Sequence, residues 1–219
     1  MRCTRKAGYW RNWLFVLLLF SVSGCASRGS IYLTPGKDLS YPLDSLGQAT
    51  VQLQSFAENF SADEVIGELN KGPDRQPIKI QKQLVSQTLR GLTKKELAQM
   101  NVSFGGGQEW DRTLEGLSQL SPDIQVIAAG NITFLWITGE TKWTQHIPTY
   151  RAELRMECVF GLPKEKKIIT GDVHVSQEMV KLSTKTKTEV IEALLDAVLS
   201  EAARNMSIKL QNVIQNKKI

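Results

Sequence analysis

Between Tyr150 and Phe160 the chain alternates without a break. Tyr150, Ala152, Leu154, Met156, Cys158 and Phe160 stand against Arg151, Glu153, Arg155 and Glu157. One apolar and one charged set at a period of two predicts a long strand with one buried and one wet face, the pattern of an antiparallel sheet. On its N-terminal side Ile124, Val126, Ala128, Ile132, Phe134 and Trp136 are expected to share a face of a second long strand. On its C-terminal side Pro163-Lys164-Glu165-Lys166-Lys167 reads as a turn. It leads to a third strand in which Ile169, Val173 and Val175 oppose Thr170, Asp172, His174 and Ser176.

The remaining periodicities are shorter. Val51, Leu53 and Ser55 alternate with Gln52 and Gln54, a half-buried first strand of the folded part. Val65–Leu69 and Ile78–Ile80 flank the turn-rich Asn70-Lys71-Gly72-Pro73-Asp74, which predicts a hairpin. Residues 83–100 read as a helix, with Val85, Leu89 and Leu92 at spacings of four and three, and Asn101–Phe104 as a short strand after it. Trp110, Leu114, Leu117 and Leu120 predict a short amphipathic segment before Ser121-Pro122. The last element is a long helix from Lys187 to about Val213. Thr186 and Glu189 form a capping box in which each side chain satisfies a free backbone donor at the helix start. Its stripe is Ile191, Leu194, Leu195, Val198, Ala202 and Met206. The fold class expected is α+β: a two-layer sandwich, an antiparallel sheet with two amphipathic helices on one face.

The first 24 residues have a different pattern. A basic stretch precedes an unbroken apolar run from Trp13 to Phe20 and then the small residues of Ser21–Gly24. That run is short for a bilayer-spanning helix, which needs about 20 apolar residues, and suits the core of an export signal. Val22-Ser23-Gly24-Cys25 resembles the lipobox of bacterial lipoproteins, in which small residues admit the peptidase and the cysteine thiol receives the lipid. The domain plan expected is a signal peptide over 1–24, a lipidated N-terminus and tether over 25–48, and one α+β domain over 49–219. Gly29, Pro35, Gly36, Pro42 and Gly47 punctuate the tether, where Ile31-Tyr32-Leu33 alone suggests a short extended contact. Several acyl chains on Cys25 give stable attachment where one is marginal. Ala26, standing where an aspartate favours inner-membrane retention, points to the periplasmic face of the outer membrane.

Charge follows from this plan. Arg2, Arg5, Lys6 and Arg11 all precede Cys25; without those four, the 27 basic residues fall to 23 against 22 acidic ones, and a net +5 becomes +1. A nearly neutral mature chain gives no basic groove for nucleic acid.

Candidate chemistry is sparse. Two histidines, His146 and His174, are set far apart, and no HExxH, GxSxG or phosphate-loop pattern occurs. Neither a metal nor an organic cofactor is expected, and no catalytic residue is assigned. Gly105-Gly106-Gly107 reads as a flexible connection. Glu153 and Glu157 interleave with Arg151 and Arg155, so charge pairing on a wet face is their expected role. With Cys3 leaving in the signal and Cys25 acylated, Cys158 has no disulfide partner and reads as a buried, inert thiol. The connection over 139–148 is flanked by Trp136 and Trp143, a candidate aromatic interface. The preferred alternative has Trp136 ending the core face and Trp143 folding over the sheet edge.

The order of these features carries a resemblance. Cys25, Ile31-Tyr32-Leu33-Thr34-Pro35, the first strand, a helix before Asn101-Val102-Ser103-Phe104, three long strands and a terminal helix follow one another. With Ala129-Gly130-Asn131-Ile132 and Tyr150-Arg151-Ala152, this arrangement resembles the YajG-like family of small bacterial envelope lipoproteins. The resemblance implies a fold and a location and brings no catalytic residues. The expected function is that of a membrane-anchored, non-enzymatic envelope component. It would bind another envelope protein or the cell wall, with an auxiliary lipoprotein of a lipid- or polysaccharide-transport complex as the alternative.

Overall fold

The computed structural model describes residues 30–33, 49–60, 64–70, 75–81, 83–99, 102–105, 109–141, 148–180 and 184–215. The export signal, Cys25, most of the tether, His146 and Trp143 lie outside them. In chain order the elements are β1 (Ile31–Leu33), β2 (Ala49–Leu53), β3 (Ala57–Glu58), β4 (Val65–Leu69), β5 (Gln76–Ile80), α1 (Leu84–Gln99) and β6 (Val102–Phe104). They continue with α2 (Leu114–Ser118), β7 (Val126–Thr141), β8 (Pro148–Leu162), β9 (Lys167–Val180) and α3 (Lys187–Ile214).

The long strand β7 organises the sheet. One of its edges pairs with β8 along the length of both, and β8 pairs in turn with β9, all antiparallel as the alternation predicted. The opposite edge of β7 is shared by three short strands, β2, β3 and β4, all parallel to it. Beyond them, β6 lies parallel to β2, β5 antiparallel to β4, and β1 parallel to β5. The sheet is therefore mixed, which corrects the expected antiparallel one. Alternation within a strand reports which faces are wet and carries no signal for the direction of a neighbour brought in from elsewhere in the chain. The predicted hairpin is present as β4 and β5. The extended contact read at Ile31–Leu33 is a strand of the sheet, with Ile31 and Leu33 buried in the core.

Both long helices cover one face. All six predicted stripe residues of α3 are fully buried, and α3 packs on α1, β8 and β9. Large aliphatic side chains buried this completely contribute roughly 1.5–3 kcal/mol each before chain entropy is counted. Thr186 and Glu189 form the expected capping box, with Thr186 Oγ1 accepting from the Glu189 amide at 3.2 Å and Glu189 Oε2 from the Thr186 amide at 2.6 Å. The start of α1 is held from the sheet: the Glu58 carboxylate on β3 accepts from the amides of Gln83 at 3.0 Å and Ser86 at 2.7 Å. The α1 stripe is the predicted one with Leu97 added. Val85, Leu89 and Leu97 are fully buried, and Leu92 is half-buried at the margin.

The segment 109–124, which includes α2, goes to the opposite face, a second departure from the expected two layers. Trp110, Leu117 and Ile124 form a separate small core with Ile127 and Val159. Gly161 makes this possible: Trp110 and Leu117 occupy the space that any side chain there would take. At that end the molecule has three layers.

Candidate interaction face

The face of β7, β8 and β9 turned away from the long helices has two parts. Its first part lies beneath Trp110 and Leu117. Its second part begins at a bulge. The β7–β8 register runs Ile132↔Met156 and then Phe134↔Arg155, so Thr133 is the extra residue on β7. A one-residue insertion exchanges the faces for everything that follows. Before the bulge Val126, Ala128 and Ile132 point to the helices; after it Leu135 and Ile137 do, and all five are buried in the main core. Phe134 and Trp136 are thereby turned to the other face, where both are half-buried. This corrects the expectation that Ile124, Val126, Ala128, Ile132, Phe134 and Trp136 share one face. Ile124 also belongs elsewhere, in the small core before β7 begins. Trp136 does not end the core face; it stands on the bare one.

The neighbours of the two aromatics follow from the register. Phe134 faces Arg155 on β8, and Arg155 faces His174 on β9; Trp136 faces Glu153, and Glu153 faces Ser176. Arg155 lays its guanidinium over the Phe134 ring at 5.1 Å from the centroid, within the range of a cation–π contact. The same guanidinium donates to Glu153 Oε1 through Nη2 at 2.6 Å and Nε at 2.9 Å. His174 Nε2 lies 2.9 Å from that same oxygen. One carboxylate thus gathers an arginine and a histidine beside two aromatic rings. Hydrogen bonding from Arg155, then the charges of Arg155 and His174, hold the Glu153 carboxyl below its ordinary range. Further along, Arg151 Nε donates to Ser176 Oγ at 3.1 Å.

The bare face extends across β7 to β4, β5 and β1. Glu68 pairs with Arg75, and Tyr32 at the outer edge is 65% exposed. Ile31 and Leu33 on either side of Tyr32 are buried, so the ring points away from the helix layer.

Burial decides the other sequence expectations. Cys158 is fully buried on the helix side, and desolvation pushes its thiol up to about 12, so no thiolate forms at neutral pH. Among the described residues no group of three His, Cys, Asp or Glu is placed to hold a metal ion, and no helix is long and apolar enough to cross a membrane. The structure brings together Trp136, Phe134, Glu153, Arg155 and His174. Of these the sequence singled out Trp136 as an interface residue. The alternation predicts Glu153 and Arg155 as charge partners on a wet face and His174 as a polar-face residue. What the apolar run Ile132–Ile137 hides, with Thr133, its only polar residue, itself a strand former, is that Phe134 and Trp136 join them.

No family model matches the chain, and no curated protein matches it. Solved structures with a similar layout do exist. A Xanthomonas campestris protein of the family DUF330 is 10% identical, over 85% of this chain and 96% of that one, with a TM-score of 0.47. A neuraminyllactose-binding hemagglutinin homolog of Helicobacter pylori is 13% identical, over 81% and 96%, with a TM-score of 0.45. A minor lipoprotein of Acinetobacter baumannii is 9% identical, over 80% and 95%, with a TM-score of 0.38. These likenesses are of coarse layout and assign no role.

Proposed function

We propose that this chain is a lipid-anchored, non-enzymatic component of a bacterial envelope, acylated on Cys25, that binds another envelope protein or a cell-wall component through the bare sheet face. The observation that carries the binding role is the turn of Phe134 and Trp136, by the bulge at Thr133, onto the outer sheet face, outside the small core that the 109–124 segment forms at its other end. A half-buried tryptophan and phenylalanine ringed by an arginine, a carboxylate and a histidine have the composition of a binding hot spot. The anchor rests on Val22-Ser23-Gly24-Cys25 and the basic and apolar segments before it.

The test is mild crosslinking in intact cells with the parent chain and with Trp136→Ala. A partner recovered with the parent and lost with Trp136→Ala, at equal abundance of the two proteins, supports the reading. Unchanged recovery removes the face from it. Recovery of lipid in place of a protein or wall fragment moves the chain to a transport complex. Fractionation of Cys25→Ser with the membranes after normal processing removes the anchor.

A further inference from the structure

Charge is uneven over the two margins of the sheet. At one margin β9 mixes Lys167 with Asp172 and Glu178. At the other, β1 is backed by lysines. It runs parallel to β5, beginning beside Ile78, two residues from Gln76, and its Tyr32 stands opposite Lys79. Lys187, at the start of α3, donates to Gln76 Oε1 through Nζ at 3.2 Å, and α3 packs on β1. Lys187 and the exposed Lys185 therefore stand at the end of the sheet where β1 begins. Lys79, Lys185 and Lys187 form no ion pair with another described residue. Nearby carboxylates are engaged otherwise: Glu68 pairs with Arg75, and Glu189 accepts from the Thr186 amide.

Tyr32 is the most exposed of the large apolar side chains among the described residues. Its neighbours Ile31 and Leu33 go to the core, so the ring stands on the outer side of the edge with Lys79, while Lys185 and Lys187 lie on the helix side. An apolar ring with a polar tip suits the bilayer–water interface, and lysines on both sides of it suit anionic headgroups. A protein strand is a poorer occupant, because an edge of three residues offers too short a ladder. The path of the chain decides for lipid. Five residues, 26–30, lie between Cys25 and Ile31, about 20 Å at full stretch.

We propose that the β1 margin, with Tyr32, Lys79, Lys185 and Lys187, docks on the anionic headgroups of the bilayer that holds Cys25. This rests on the acylation of Cys25 proposed above. Docking by this margin sets the sheet on edge and leaves Phe134 and Trp136 uncovered for a partner of their own.

The experiment uses the mature lipidated chain in vesicles of phosphatidylcholine, alone or mixed with phosphatidylglycerol. A polarity-sensitive fluorophore is attached at Tyr32→Cys or, at the far margin, at Asp172→Cys. Cys25 is acylated and Cys158 is fully buried, so neither takes the label. The expected result on the mixed vesicles is an interfacial signal from Tyr32→Cys and an aqueous one from Asp172→Cys. Lys79→Gln combined with Lys185→Gln lowers the ratio of docked to undocked label about twentyfold, since each lysine near an anionic surface is worth about fivefold. Circular dichroism checks that this variant folds. Because the label replaces Tyr32, hydrogen exchange on the unlabelled chain repeats the test: β1 and the start of α3 exchange more slowly on the mixed vesicles, and β9 does not. A chain that stays on the vesicles while both labels read water overturns the proposal and keeps the anchor. Equal docking on phosphatidylcholine alone overturns the anionic partner. A chain that leaves the vesicles because Cys25 carries no lipid overturns the anchor and this docking with it.

Discussion

At one end of the outer sheet face, Ile127, Gly161 and Ile168 lie side by side on β7, β8 and β9 beneath Trp110 and Leu117. A few residue pairs along the same strands, Phe134 and Trp136 stand half-buried beside Arg155, Glu153 and His174. The first end is apolar, cleared by a glycine and closed by the chain's own segment. The second is aromatic and charged, and among the described residues nothing closes it. Both ends carry large apolar surface, so hydrophobicity does not separate them. What separates them is that the chain supplies a lid for one, while the other is kept wet by paired charges. The difference teaches that the aromatics of the second end are presented to solvent by a specific backbone device, the Thr133 bulge.

Inserting one alanine between Phe134 and Leu135 breaks the comparison most severely. It drives Trp136 toward the helices and turns Leu135 and Ile137 to water. The expected outcome is loss of more than about 4 kcal/mol, or failure to fold, read by urea denaturation. Trp110→Ala empties the closed end and is expected to cost about 3–5 kcal/mol. Trp136→Ala at the open end costs less than about 1.5 kcal/mol in the same experiment, because the ring is half-exposed. Equal losses from the two tryptophans would show that the open end is core after all. Gly161→Ala pushes against Leu117 and Trp110 and is expected to cost about 1–3 kcal/mol, whereas Ser176→Ala on the bare part of β9 changes unfolding by less than about 0.5 kcal/mol.

The smallest effect is electrostatic. The Glu153 carboxyl titrates below its ordinary value of 4.5, chiefly because Arg155 hydrogen-bonds the charged form. A depressed carboxylate contributes stability above its unfolded value, and that contribution is lost as pH falls through the folded one. Glu153→Gln should therefore flatten the stability profile slightly below about pH 4.5 and leave the profile above pH 5 parallel to the parent's. On this wet face the magnitude is no more than about 0.5 kcal/mol. A steeper acid profile in the variant would contradict the assignment.

What could be read from the sequence divides along physical lines. The three long strands, the α3 stripe and the Thr186–Glu189 cap were legible because each is a local pattern whose period or spacing states its own structure. The destination of Trp110 and Leu117 was not, since an amphipathic segment shows that it covers something and not which face it covers. The parallel pairing of β2, β3 and β4 with β7 joins residues 70 or more positions apart and has no local signature. The bulge was invisible for a third reason. In Ile132-Thr133-Phe134-Leu135-Trp136-Ile137 either phase of alternation buries plausible side chains, so nothing in the sequence stopped the phase of Val126–Ile132 from being carried through to Trp136. Its identity as a candidate was legible; its surroundings were not.

The pairing of β1 with β5 shortens the leash. Cys25 precedes Ile31 by six residues, which span at most about 20 Å when fully extended. Whatever holds the cysteine therefore holds the β1 margin of the sheet within that radius. β9 forms the other margin, beyond β5, β4, β7 and β8. At about 4.8 Å per strand it stands roughly 24 Å farther along the sheet, so the margin within reach of Cys25 and the margin farthest from it are the two rims of the same sheet.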